Sequence, residues 1–297
     1  MAGAAILNPH LQIRACLQIA GMNFKTRQEE AAVIRLITRS DDAGSSQGAN
    51  QAMIRAAAHP FVKNISLMAT GAYIEDAAQA LKGKKHICFG LHFTMNAEWD
   101  RVKWGPVSSA AKVASLVDRD GWFYPDPAAS RDAGALIEDI HTEWCSQLDR
   151  LTKLGFDVRY ADTHMFPELV FDGLADIMSG WYKEKGLVDH RYFYRILPRI
   201  DDISKTDGLF EEIIREQPDG QYFYLTHPAV STEDMYLTGN KTAPTQDIVN
   251  GRRMDMDFII SDKTMEICEK YDVLPIRYDE AVVSEADRDS GSAWLGV

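Results

Sequence analysis

Apolar positions recur along the chain in two alternating rhythms. Residues 33–38 (Val-Ile-Arg-Leu-Ile-Thr) form a β-branched run that reads as a buried strand. A Ser/Gly-rich turn at 44–48 follows, then a helical stretch over 49–58. Residues 65–69 and 86–92 read as further strands, with a helix over 73–82 between them. A long helix is predicted over 135–154, because Leu136, Ile140, Trp144, Leu148 and Leu151 recur every three or four positions and Gly155 stops it. Strand 158–164 comes next, and Pro167 suits the first turn of a helix running to residue 185, ahead of Gly186. Residues 187–194 read as a strand, 209–216 as a helix, 221–226 as an aromatic strand, 255–270 as a helix and 272–277 as a last strand. Seven strands alternating with helices imply a parallel sheet with outer helices, either open or closed into a barrel. The stretch 93–131 has no clean period, and irregular segments of that length in compact domains are usually functional or disordered. Its Trp99, Trp104, Trp122, Phe123 and Tyr124 argue against disorder.

At the ends the pattern fails. Over 1–30, Asn8, Pro9 and His10 break a mildly apolar stretch and Arg14 interrupts it again, which fits an N-terminal extension better than a signal peptide. Residues 284–297 read as a polar tail, leaving 31–283 as a single domain. The 297-residue chain carries 32 basic and 44 acidic residues, a formal charge of −12. That balance argues against nucleic acid or an anionic membrane as partner, since both need a basic face. No apolar run is long enough to span a bilayer. Cys16, Cys88, Cys145 and Cys268 are scattered with no C-x-x-C pair, as expected for reduced thiols in a cytoplasmic protein.

The candidate chemistry sits at strand ends: Asp41-Asp42 after the first strand, His92 after the third, Asp162-Thr163-His164 after the fourth, and His227-Pro228 after the aromatic strand. In parallel α/β folds the carboxyl ends of strands open on one face, where ligands bind. Singly, each residue has an ordinary reading: a hydrogen-bonded structural His, or an Asp pair that forms a turn or cap. Four at equivalent positions place two carboxylates and three imidazoles around one mouth. One carboxylate and two imidazoles suit zinc or a similar first-row ion with open positions. A neighbouring carboxylate can then take a proton from water and His227 can donate one to a leaving group, which amounts to metal-assisted hydrolysis of an unspecified bond. His10, His59, His86, His141 and His190 share no such pattern and read as surface or packing residues.

These segments resemble a family. Leu36 to Gly44 is similar to the N-A-D-D-F-G motif of YdjC-like carbohydrate deacetylases, the group that includes chitooligosaccharide deacetylase. Phe89 to Thr94 resembles their G-L-H strand end, Ser115 to Phe123 their S-L-V-D-x-x-G-x-F loop, and Asp162-Thr163-His164 their D-S-H. Thr226-His227-Pro228 and Arg252 to Ser261 follow in family order. The resemblance implies a distorted (β/α) barrel, one divalent cation (Mg2+ or Zn2+), and hydrolysis of an N-acetyl amide on a sugar. By position it implies Asp42, His92 and His164 as metal ligands, Asp41 as base, His227 as acid, and Arg252 as the group orienting Asp41. The sequence departs at Ala43, where the family has Phe, and at Phe166, where it often has a second His. Trp99, Trp104, Trp122 and Tyr124 are candidates for stacking on sugar C–H faces, with a hydrophobic cluster under the long loop as the competing explanation. The expected partner is a small carbohydrate, with a homodimer left open. Two rival functions stand beside the deacetylase: a metal-dependent hydrolase of an ester or non-sugar amide, and a sugar-binding relative without catalysis.

Overall fold

A computed structural model of the chain describes residues 33–192, 194–198 and 206–282. The expected extension over 1–30 and tail over 284–297, with His10 and Cys16, lie outside them. In chain order the elements are β1 (Ile34–Ala43), α1 (Gln47–Ala56), β2 (Asn64–Leu67), α2 (Ile74–Leu81), β3 (Cys88–Phe93), α3 (Pro127–Asp132), α4 (Ile137–Lys153), β4 (Val158–Thr163), α5 (Leu174–Lys185), β5 (Val188–Asp189), β6 (Arg195–Ile196), α6 (Asp207–Glu216), β7 (Gly220–Thr226), α7 (Thr245–Ile259), α8 (Asp262–Lys270) and β8 (Val273–Ile276). Among the described residues every ladder is parallel. Seven strands run β5-β4-β3-β2-β1-β7-β6, and β8 adds to β1. The sheet curls into a distorted α/β barrel with helices outside, as the resemblance implied.

β1 is the hub. One of its edges carries β7 along Ile34–Ser40. Its other edge is shared: β8 pairs with Ile34–Ile37, and β2 takes over from Arg39. Asn64, fully buried at the handover, donates through Nδ2 to the carbonyls of Thr38 (2.8 Å) and Ile276 (3.0 Å) and accepts from the Tyr278 amide (2.8 Å). One side-chain amide thus satisfies the backbone groups that changing ladder partners would otherwise orphan.

Strand alternation sorts residues to two faces. Leu36, Ile65, Leu67, Phe89, Leu91, Phe93, Tyr222 and Tyr224 join the large apolar core beneath the helices. Ile37, Cys88, Tyr160, Phe223 and Ile276 face the interior with Tyr194 and Tyr278. Gly90 is needed there, because a Cβ would stand 2.2 Å from the Tyr160 ring.

The structure revises several expected boundaries. β1 continues through the acidic pair to Ala43. The expected strand 187–194 shrinks to two-residue β5 and a 3-10 turn, and β6 makes an eighth strand. The expected helix 255–270 is two helices, α7 beginning at Thr245 and α8 capped by Ser261, whose Oγ accepts from the Lys263 amide. Pro167 opens a 3-10 turn, and α5 begins only after Gly173, whose φ of 74° is left-handed. The long segment after β3 is folded down on α4: Glu143 accepts from the Val107 (2.8 Å) and Ser108 (3.0 Å) amides, Asp139 binds Ser115, and Gln147 donates to the Thr94 carbonyl. These three acceptors and donors recur every four residues on one helix face. Burial pushes the Glu143 carboxyl up from its ordinary pKa, against the pull of its donors.

Candidate metal centre

The interior parity that fills the barrel also builds the site. Arg39 and Asp41 on β1, His92 on β3, and Asp162 on β4 with His164 just past its end keep a spacing of two and so share the inner face. Asp42 breaks this parity. Its φ is 72°, and the β1–β2 register shifts between Ser40 and Ala43. Left-handed backbone is uncommon outside glycine and most tolerated by Asp and Asn. Here it turns the Asp42 carboxylate to His92, His164 and Arg252, while Asp41 stays with Arg39.

Asp41 is buried and held by Arg39, with Nε 2.8 Å from Oδ1 and Nη2 2.9 Å from Oδ2. Arg39 also reaches Asp162 Oδ2 at 2.9 Å and stacks 4.7 Å over the Phe223 ring. Arg252 on α7 meets Asp42 Oδ2 at 2.6 Å. The expectation that Arg252 orients Asp41 is therefore replaced: the left-handed turn aims Asp42 towards α7, and Asp41 pairs with Arg39 instead. Burial alone would raise the Asp42 pKa, but Arg252 and the His92, His227 and His164 imidazoles hold it well below the usual carboxylate range.

Asp162, with no exposed surface, accepts from His92 Nδ1 at 2.6 Å and from Ser66 Oγ at 2.5 Å. A carboxylate can only accept, so His92 carries its proton on Nδ1 and turns the Nε2 lone pair outward. Nε2 lies 3.2 Å from His164 Nδ1 and 3.4 Å from Asp42 Oδ1, and His164 Nδ1 lies 3.7 Å from the same oxygen. Asp42 Oδ1 is buried without a hydrogen-bond partner. Three acceptor atoms facing one another repel unless a cation or a proton lies between them. Ligand atoms about 2.1 Å from one ion in tetrahedral arrangement stand roughly 3.4 Å apart, so this triangle fits a divalent cation. The formal charges agree: four carboxylates (Asp41, Asp42, Asp162, Glu98) face two guanidinium groups (Arg39, Arg252), leaving two negative charges. Protons compete with an ion for this place. Burial lowers the pKa of both imidazoles, yet Asp162 and Asp41 hold His92 well above its ordinary value, and Glu98 raises His164.

Two cavities meet at Asp42 and His164, two corners of this triangle. The smaller, about 290 Å³, is walled by Met68, Trp99, Trp104, Met235 and Leu237. The larger, about 500 Å³, is walled by Met165, His227, Asn240, Asp247 and Asp255. Asp42, Glu98, Trp99, His164 and Arg252 line both. Of the aromatic candidates, Trp99 and Trp104 reach the cavity, Trp104 with its ring 6.3 Å from that of His164. Trp122 is exposed, and neither it nor Tyr124 lines these cavities. The His227 backbone amide donates to Asp255 at 2.8 Å. Burial lowers its imidazole pKa and Arg252 adds to this, against the pull of Asp42. Asp41, at 1 % exposure, lines neither cavity and lies beneath them. Of the histidines read as surface or packing residues, His190 is fully buried beside Tyr194 and Glu168, while His86 and His141 are exposed. Sequence reasoning passed over Arg39, Glu98 and the partnership of Asp162. For Arg39 and Asp162 the i, i+2 spacing to Asp41 and His164 was the available signal; Glu98 lies in an aperiodic segment.

The chain is similar to several known proteins. A carbohydrate deacetylase of Oceanobacillus iheyensis is 25 % identical over 214 residues, covering 68 % of this chain and 88 % of that protein. A chitooligosaccharide deacetylase of Klebsiella pneumoniae is 27 % identical over 154 residues, 51 % of this chain and 57 % of that one. A crystal structure from Enterococcus faecalis V583, described as a cellobiose-phosphate cleavage protein, superposes with a TM-score of 0.69 at 17 % identity, covering 84 % of this chain and 100 % of that one, and supports the fold. The family profile described as YdjC-like protein matches residues 35–270, from the first residues of β1 to the end of α8, and the chain belongs to that family.

Proposed function

We propose that this protein is a metal-dependent carbohydrate deacetylase that removes an N-acetyl group from an amino sugar or a chitooligosaccharide-like substrate. The observation that carries the reading is the triangle of Asp42 Oδ1, His92 Nε2 and His164 Nδ1, with Asp42 Oδ1 buried and lacking a hydrogen-bond partner, beside two cavities. The relatives named carbohydrate deacetylases supply the bond class. Asp42, His92 and His164 would hold the ion, magnesium or zinc. Bound there, a divalent cation supplies Lewis-acid polarisation of an acyl carbonyl and acidifies water.

The remaining steps belong to the chain. Asp41, next to the ligand Asp42 and fixed by Arg39, accepts the proton of the attacking water from beneath the mouth. His227 protonates the departing amine. Its lowered pKa leaves it neutral at neutral pH, so it takes up a proton before giving one, and its imidazolium is then a stronger acid than an ordinary one. Arg252 keeps Asp42 aimed at the triangle. Trp99 and Trp104 offer apolar faces to a sugar ring.

The test is acetate release from short N-acetylglucosamine oligomers, with and without chelator. Turnover is expected to stop with chelator and return with added ion. His164→Ala should lose both ion and turnover, whereas Asp41→Asn should keep the ion and lose turnover. Wild-type rates in Asp41→Asn would remove the base assignment.

A further inference from the structure

We propose that Glu98 is the positioning residue for His164 and thereby ties the long segment after β3 to the occupancy of the ion site. This rests on the metal reading above. The two ligand imidazoles present opposite nitrogens to the triangle, so each needs its other nitrogen fixed. For His92 the sheet does this, through Asp162 on the neighbouring strand. For His164 nothing on β4 does it. Its Nε2 instead stands 3.1 Å from Glu98 Oε2. The carboxylate accepts, so the proton is held on Nε2 and the Nδ1 lone pair is turned towards Asp42 and His92.

Glu98 is nearly buried, yet it sits in no helix or strand. Its place depends on contacts of the surrounding stretch. Asn240 Nδ2 donates to the Glu98 carbonyl (3.0 Å), the Asp100 amide donates to the Gly239 carbonyl (3.0 Å), and Trp104 Nε1 donates to the Asn96 carbonyl (2.5 Å). The same stretch supplies Trp99 and Trp104 to the smaller cavity. One imidazole ligand is therefore oriented by the rigid sheet and the other by a segment that also walls the cavity. Charge drawn from His164 by a bound cation strengthens the Nε2–H···Glu98 bond, so filling the ion site should tighten this wall.

Isothermal titration of the full chain with Zn2+ and Co2+ tests this. Glu98→Ala should weaken ion binding by about 10- to 100-fold. Glu98→Gln, whose amide oxygen still accepts, should recover most of that loss. The thermal midpoint of the ion-free protein should be the same in all three. In wild type, added Zn2+ should slow amide exchange over residues 98–105, and in Glu98→Ala it should not. Equal ion affinity in Glu98→Ala and wild type would overturn the proposal. So would a Co2+ visible spectrum that loses a ligand in Glu98→Gln, since Glu98 would then bind the ion itself. A fall in ion-free midpoint that accounts for the whole affinity loss would leave Glu98 a structural residue only. A wild type that binds neither ion overturns the site itself, a distinguishable failure.

Discussion

The outer face of the sheet carries Leu36, Ile65, Leu67, Phe89, Leu91 and Phe93 against the helices, whereas the inner face carries Arg39 and Asp41 on β1, His92 on β3, and Tyr160 and Asp162 on β4, with Tyr194 and Tyr278 packed against them. Outside, burial is non-directional and any well-packed apolar side chain contributes in proportion to its area. Inside, Arg39 is fully buried between Asp41 and Asp162, and each partner is stable only while the others are present. The same alternation thus divides labour. The outer layer supplies stability, and the inner layer fixes donor and acceptor directions at the mouth.

The largest effect should come from breaking the inner network. Arg39→Met leaves Asp41 and Asp162 buried without their cation and should cost about 3–5 kcal/mol in chemical unfolding, with loss of ion binding. Leu36→Ala, three residues before Arg39 on β1 but facing out, should cost about 2–5 kcal/mol while leaving ion affinity unchanged. A matching loss of ion affinity in both variants would end the division of labour. Gly90→Ala presses a Cβ into Tyr160 and should cost about 1–3 kcal/mol, most of it recovered by also shortening Tyr160 to Leu. The smallest effect is one of pH. Because His92 and His164 titrate above the ordinary imidazole value, an incoming ion must displace protons as pH falls below those raised values. Ion affinity should therefore drop on acidification, by about tenfold per pH unit for each proton released. Asp42, held well below the usual carboxylate range, does not compete in that window. Titration calorimetry between pH 6 and 9 reads this slope; a flat profile would mean the two imidazoles are already free of protons.

Much of the inner layer was legible. Strand ends carrying Asp41-Asp42, His92, Asp162-Thr163-His164 and His227 could be read as one mouth because parallel strands share an end. What could not be read depends on backbone that propensity does not encode. Asp42's left-handed φ redirects its carboxylate to Arg252, and no pattern of residue types announces it. The break between α7 and α8 falls at Ser261, a cap that reads equally well as a surface residue inside a longer helix. β6 is two residues long and is defined by pairing with Tyr222 and Phe223, not by its own composition. Glu98 owes its position to contacts with residues 239–240, more than a hundred positions away.

The shared edge of β1 has a consequence for how the chain is made. Its lower half keeps an open row of amides and carbonyls until β8, some 240 residues later, arrives to cover it. During synthesis nearly the whole domain must emerge before that edge is closed, and an open strand edge is a template for pairing with another chain. Loss of residues 273–276 should therefore show itself less as weaker ion binding than as a protein that self-associates as it is produced.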